Sequence, residues 1–227
     1  MEEQDRNAAR RLAAQAIADG EPTRWFEELY HGARATGLVV PWTDLAPNPH
    51  LVTWPLLAAV TGRRALVVGC GFGDDAEWLA GQGLDVTAFD ISPTAVARCR
   101  ERFPGSAVRY VVADLLDPPG RWLVEPFGLV VDAYTVQVLP PNSAERLHAV
   151  RNLARLTGDI LLVIARGRDE RDGDGLMPWP VLRVELAPIT DLGLDELAFD
   201  DYQDDESPPA RRFRATYRRP RTCARSL

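Results

Sequence analysis

The run Ala65-Leu66-Val67-Val68-Gly69-Cys70-Gly71-Phe72-Gly73-Asp74-Asp75 narrows what this chain can fold into more than any other segment. Four consecutive apolar residues suit a strand buried on both faces. Glycines at alternate positions then let the backbone turn sharply into a helix, with no Cβ between main chain and ligand. The spacing predicts a strand, a ligand-binding turn and a helix across 65–82. A strand buried on both faces needs helices on both sides of its sheet.

The rest of the chain supplies them. Apolar runs at 85–89, 108–112, 129–134 and 159–164 alternate with helical segments at 74–82, 94–103 and 143–156, the pattern of βαβ units. Apolar segments at 194–199 and 213–217 are expected to finish the sheet as a terminal antiparallel hairpin. The expected fold class is α/β: a Rossmann-like doubly wound sheet of about seven strands, mostly parallel with an antiparallel C-terminal strand, plus an N-terminal helical cover. Residues 1–62 are read as that cover and lid. Helices are expected over 3–18 and after Thr23, where Trp25, Phe26, Leu29 and Tyr30 gather on one side, followed by a proline-rich loop at 39–49. Residues 63–220 are the core of a single domain and 221–227 a flexible tail. The charged stretch 166–175 reads as a mobile loop, and the acidic stretch 200–206 as the link between the last two strands.

Thirty-three acidic residues against 26 basic ones leave a formal charge of −7, which disfavours nonspecific attraction to nucleic acid or anionic membrane. Cys70, Cys99 and Cys223 contain no C-x-x-C pair and leave an odd residue, as expected of a reducing compartment. No apolar run reaches the roughly 18 residues of a membrane span, and the charged N-terminal stretch lacks the apolar core of a signal peptide. Cytoplasmic residence is the expectation. His31, His50 and His148 form no metal-ligand cluster, so no metal is expected. His148 should sit on the helix after the fourth strand, while His31 and His50 flank the cover.

Charge also discriminates between ligands. A dinucleotide fingerprint places a third glycine at position 74, over which a pyrophosphate sits at the helix N-terminus. Here Asp74 and Asp75 stand in that place, and two carboxylates repel a diphosphate but suit a ligand bearing a sulfonium and an ammonium. S-adenosylmethionine has that charge pattern. Asp90 ends the next strand at the interval where an acid reaches ribose hydroxyls. Its other reading is an N-cap, a task for which Ser92, just before Pro93, is better placed. Asp114 closes the third strand, where it suits an adenine amino group with Leu115 packed on the ring, or a turn.

Together these residues resemble the class I methyltransferases that use S-adenosylmethionine, from about Trp25 to Tyr217. The run Asp75-Ala76-Glu77-Trp78-Leu79-Ala80, with Gly83, Val86 and Asp90-Ile91-Ser92, is most similar to the thiopurine and thiol/halide methyltransferase branch. The Trp25 segment and the loop from Pro41-Trp42 to Pro49 resemble that branch's N-terminal cofactor cover. Many class I members carry an acidic residue where this chain has Val67, so Asp74 or Asp75 supplies the charge instead.

The resemblance implies that Gly69, Gly71 and Gly73, with Cys70 among them, line the methionine moiety. Asp90 and Ile91 take the ribose, and Asp114 and Leu115 the adenine. Asp75, Trp42 and Tyr134 complete the expected cofactor contacts. Tyr134 and Gln137 face the acceptor, and His31 joins them as a catalytic candidate. Trp25, Trp42, Trp54 and Trp179 are candidates for an aromatic pocket, with Met177-Pro178-Trp179-Pro180 closing the acceptor side.

The expected activity is in-line methyl transfer to a small molecule, a thiol, halide or natural-product-type acceptor. An anionic nucleophile needs no strong base, whereas a neutral hydroxyl does. The expected partner is that acceptor alone, with no nucleic acid and no membrane, in a monomer or homodimer. Two other readings stay open: a nicotinamide-dependent oxidoreductase, and an S-adenosylmethionine-binding regulatory protein without turnover.

Overall fold

The structure is a computed structural model and describes residues 3–36, 40, 42–60 and 62–220. Along these residues the chain forms α1 (Glu3–Ala18), α2 (Arg24–Thr36), α3 (Pro49–Val52), β1 (Arg64–Val68), α4 (Asp74–Gly81), β2 (Asp85–Asp90), α5 (Pro93–Arg102), β3 (Arg109–Val112), α6 (Gly120–Val124), β4 (Phe127–Ala133), α7 (Ala144–Leu156), β5 (Thr157–Arg168), β6 (Val181–Leu182), α8 (Ala187–Asp191), β7 (Asp195–Gln203) and β8 (Arg211–Arg218). One sheet runs β3-β2-β1-β4-β5-β8-β7, and β6 pairs with β5 off that path. The pairs among β1 to β5 are parallel, and β8 is antiparallel to both β5 and β7.

Because successive strand residues point to opposite faces, β1 feeds two cores. Leu66 and Val68 join Val130, Leu161 and Val163 under Val150 and Leu153 of α7. Ala65 and Val67 join Leu129, Val131 and Leu162 under Leu79 of α4 and Val96 of α5. A third cluster holds the cover: Ala9, Ala13 and Ala16 of α1 pack on Trp25, Leu29 and Tyr30 of α2, with Ala95 of α5 beneath. Glu27 of α2 fastens this cover, accepting hydrogen bonds from the Ser92 hydroxyl at 2.5 Å and from the Thr94 hydroxyl and amide at 2.5 and 3.1 Å.

Three details differ from the sequence reading. Residues 166–168 continue β5 instead of opening a loop, because β8 and β6 pair with them. Arg168 is buried and bonds the Pro180 carbonyl and Asp174. Residues 200–203 belong to β7, where cross-strand ion pairs Asp200–Arg214 and Asp201–Arg211 neutralise the acidic run. The true link is the shorter 204–210 segment, and Asp204 pairs with Arg212 at its base. Short elements α6, α8 and β6 were not anticipated. Arg219 is anchored by its guanidinium to the Thr157 and Ala154 carbonyls, while the expected flexible tail 221–227, with Cys223, lies outside the described residues. No helix among the described residues is long and apolar enough to cross a membrane.

Candidate active site

Strands β2 and β3 lie to one side of β1, and β4, β5, β8 and β7 to the other. The carboxyl ends of β1 and its two neighbours therefore border a crevice at the point where strand order reverses, the usual ligand position in an open α/β sheet. A cavity of about 350 Å³ occupies this place, within the size range of small-molecule sites. Its lining includes Trp42, Gly69, Cys70, Gly71, Asp75, Asp90, Ile91, Asp114, Leu115, Tyr134 and Gln137. Sequence reasoning had singled out each of them.

Two expected residues are absent from the lining. His31 is exposed on α2 and does not border the cavity, so its catalytic assignment is withdrawn. Gly73 turns away from it. A Cβ at Gly73 would meet the Tyr110 hydroxyl at 2.6 Å, and its φ of +90° starts α4. Packing and backbone conformation, not ligand approach, demand glycine there. Gly69 shares this constraint, with φ +58° and Thr135 Oγ1 at 2.3 Å from where its Cβ would be, although its main chain also lines the cavity.

Asp90 is 5% exposed. Its Oδ2 accepts the Gly71 amide and its Oδ1 the Ser92 amide, both at 2.9 Å. The carboxylate thus holds the glycine turn against the start of α5, while Ser92 Oγ caps that helix through the Ala95 amide. A carboxylate oxygen accepts more than one hydrogen bond, so both atoms retain capacity toward a diol. Burial pushes the Asp90 carboxyl up to about 6.

The paired-carboxylate expectation holds by half. Asp74 is bound through both oxygens to Arg102, at 2.7 and 2.8 Å, so its charge is already neutralised. Asp75 instead accepts the Asn48 amide at 2.6 Å, and burial raises its carboxyl to about 6. Asp75 thus keeps its carboxylate at the cavity wall, whereas that of Asp74 is paired with Arg102. Asp114 makes the turn allowed for it, its Oδ1 accepting the Leu116 amide at 2.7 Å, and still borders the cavity beside Leu115.

Tyr134 sits at φ +68°, after the end of β4. The Arg212 guanidinium lies 5.2 Å from its ring centre, and burial raises its hydroxyl to about 12, so it is a neutral phenol. Gln137 is buried, and its Oε1 accepts the Arg166 amide at 2.7 Å. Trp42 is steadied by its indole N–H on the Tyr30 hydroxyl at 3.2 Å and by an edge contact with Trp25. Trp25 and Trp54 are core residues, the latter bonded to Thr216, and Trp179 packs in the cover cluster; none of the three lines the cavity, whereas Pro178 does. Asn48 and Glu206 also border it, although the sequence reading assigned them no role, and His50 is the histidine that reaches it.

Asp132, the penultimate residue of β4, is fully buried; the Val136 amide and the Thr135 hydroxyl approach its carboxyl, but no well-formed hydrogen bond reaches either oxygen among the described residues. Burial raises its carboxyl from 3.8 to about 7. The folded state therefore holds a proton that the unfolded chain releases near pH 4, and stability from this group is lost as pH rises toward 7. Asp132→Asn should gain on the parent protein by about 1.4 kcal/mol for each pH unit between about 4 and 7, read from urea denaturation at several pH values. A difference independent of pH would show that the carboxyl titrates normally.

Residues 65–158 match the family described as a methyltransferase domain. This stretch runs from β1 into β5 and contains the glycine turn, Asp90, Asp114, Tyr134 and Gln137. The chain is thus an α/β protein with a Rossmann-like sheet, and the stretch from β1 into β5 is similar to that family. Among solved structures it is similar to a protein from work on conversion of a disulfide bond into a thioacetal group during echinomycin biosynthesis (22% identity, 89% of this chain and 93% of that one, TM-score 0.68). It is also similar to the N-methyltransferase NodS of Bradyrhizobium japonicum, solved with S-adenosyl-L-homocysteine (20%, 84% and 98%, TM-score 0.65). A third is the 1,6-didemethyltoxoflavin-N1-methyltransferase of Burkholderia thailandensis (19%, 86% and 85%, TM-score 0.63). No curated protein matches the sequence.

Proposed function

We propose that the protein is an S-adenosylmethionine-dependent methyltransferase that acts on a small molecule by direct in-line transfer. The observation that carries this reading is Asp90, a buried carboxylate at the end of β2 that grips the glycine turn and still presents acceptor capacity to the cavity. When bound, S-adenosylmethionine supplies a methyl group already activated by a positive sulfur. Asp90 and Ile91 would hold the ribose, and Asp114 with Leu115 the adenine. The backbone from Gly69 to Gly71, with Asp75, would hold the methionine end. Trp42 closes the cavity from the cover, and Tyr134 and Gln137 border the acceptor. The role of these side chains is mainly orientation and exclusion of water.

In this reading residues 1–62 serve as cover and lid over a catalytic core at 63–220, in a cytoplasmic monomer or homodimer without nucleic-acid partners. Two structurally similar proteins bear names of N-methyltransferases, one of them named for 1,6-didemethyltoxoflavin, which supports a small-molecule acceptor. The likeness to the thiopurine and thiol/halide branch rests on residues 75–92. These lie in α4, β2 and the turn after it, beside the cofactor, and so bear little on the acceptor.

Titration calorimetry tests the reading against its oxidoreductase rival. S-adenosylhomocysteine should bind saturably and NADH should give no heat of binding. Saturable NADH binding with no response to S-adenosylhomocysteine would reverse the assignment. Transfer of labelled methyl groups to a panel of phenols, amines and thiols separates an enzyme from a silent binding protein.

A further inference from the structure

We propose that His50, oriented by Tyr202, is the general base at the acceptor end of this cavity, and that the acceptor accordingly presents a neutral O–H or N–H nucleophile. This rests on the methyltransferase reading above and extends it to the chemistry of the substrate.

The strand order divides the cavity into two ends. Asp90 ends β2 and Asp114 follows β3, on one side of β1, whereas Tyr134 follows β4, and Tyr202 lies on β7, on the other side. His50 belongs to the second end. It lines the cavity, and its Nδ1 lies 2.7 Å from the Tyr202 hydroxyl, with the rings edge-on at 5.6 Å and 67°. Its backbone is held as firmly. Asn48 caps α3 through the His50 amide at 2.9 Å, and the Asn48 amide in turn binds Asp75 at the start of α4. The Arg214 guanidinium reaches the His50 carbonyl at 3.3 Å. The imidazole is thus tied to β7 through its ring, and through its backbone to the α4 end of the glycine turn and to β8.

Four charged groups act on the imidazole, Arg212 and Arg214 on β8 and Asp204 and Glu206 in the segment before it, and the neutral Tyr202 hydroxyl meets it from β7. Burial and the two arginines disfavour the imidazolium more than the carboxylates favour it, so its pKa lies below the ordinary 6.5. His50 is neutral at pH 7. The proposal requires the tautomer in which Nδ1–H donates to the Tyr202 oxygen; Nε2 then carries the lone pair, and Tyr202 acts as a positioning residue. Other groups at this end lack that capacity: Tyr134 is a neutral phenol, Gln137 an amide, and Glu206 is paired with Arg212.

In the reaction, a lone pair on the acceptor oxygen or nitrogen forms the bond to the methyl carbon as the carbon–sulfur bond breaks. That bond's electron pair stays on sulfur, which loses its positive charge. The acceptor's proton moves to Nε2 of His50, and the imidazolium later releases it to water.

Nuclear magnetic resonance of the full chain, carrying nitrogen-labelled histidine, reads the ring state directly, because only three histidines are present. At pH 7, with S-adenosylhomocysteine bound, the His50 ring should be protonated at Nδ1 and bare at Nε2. Tyr202→Phe should remove that preference and shift the acidic limb of the pH–rate profile. His50→Gln should slow methyl transfer to phenols roughly 10²- to 10⁴-fold, with S-adenosylhomocysteine affinity unchanged. A ring protonated at Nε2, or a His50→Gln variant that methylates phenols at the parent rate, would overturn the proposal. If the parent protein failed to bind S-adenosylhomocysteine, the methyltransferase reading itself would fail; binding together with an Nε2-protonated ring would sink only the base assignment.

Discussion

Asp90→Ala is expected to abolish measurable binding of S-adenosylhomocysteine, a loss of roughly 10²- to 10⁴-fold by calorimetry. Two hydrogen bonds from ribose hydroxyls to a charged acceptor account for about 3–6 kcal/mol. The same carboxylate satisfies the Gly71 and Ser92 amides, so alanine also unpins the glycine turn and lowers the melting temperature. Asp90→Asn separates the two effects. It keeps the volume and one of the two acceptors, and the loss of the other amide bond is offset by removal of a buried carboxyl whose pKa is raised to about 6. It should therefore stay close to parent stability at pH 7 while losing most of the affinity. An alanine variant that bound within a few-fold of the parent would mean the ribose is held elsewhere.

Gly69→Ala is expected to destabilise the protein by about 2–5 kcal/mol, measured by urea denaturation. Two costs add. A left-handed backbone at φ +58° is unfavourable for alanine by about 1–2 kcal/mol, and a methyl group placed 2.3 Å from Thr135 Oγ1 forces repacking worth about 1–3 kcal/mol. Thr135→Ala removes the obstructing atoms, at the expense of its 3.0 Å hydrogen bond to the Val68 carbonyl. The double variant should thus be more stable than the sum of the single losses allows, leaving mainly the backbone cost. Strict additivity would show that the contact with Thr135 is unimportant.

The core strands were legible because a parallel sheet covered on both faces demands near-continuous apolar residues, and Ala65 to Val68 or Leu129 to Val131 can be little else. The helix start at Ser92 was legible through its capping side chain. By contrast, α6 and α8 have five residues each, too few for helical periodicity to register. The acidic stretch 200–206 looked like a loop because its partners Arg211, Arg212 and Arg214 become visible only when β7 and β8 pair.

The candidate site shows the same division. Residues within the strand-turn-helix units, from Gly69 to Asp114, could be placed by local spacing. Contacts between distant segments could not: Asp74 finds Arg102, and His50 finds Tyr202 across 152 positions. Each of these pairings reversed or sharpened a functional reading. Arg102 cancels one of two carboxylates thought to face the ligand, and Tyr202 lifts His50 above the exposed His31.

The central claim is that Asp90 and the glycine turn receive the nucleoside of S-adenosylmethionine, and a crystal structure of the full chain with S-adenosylhomocysteine tests it most directly. Both ribose hydroxyls should lie within hydrogen-bond distance of the Asp90 carboxylate, with the adenine against Leu115 and the sulfur facing Tyr134. A ligand bound outside this cavity, or a ribose turned away from Asp90, would contradict it.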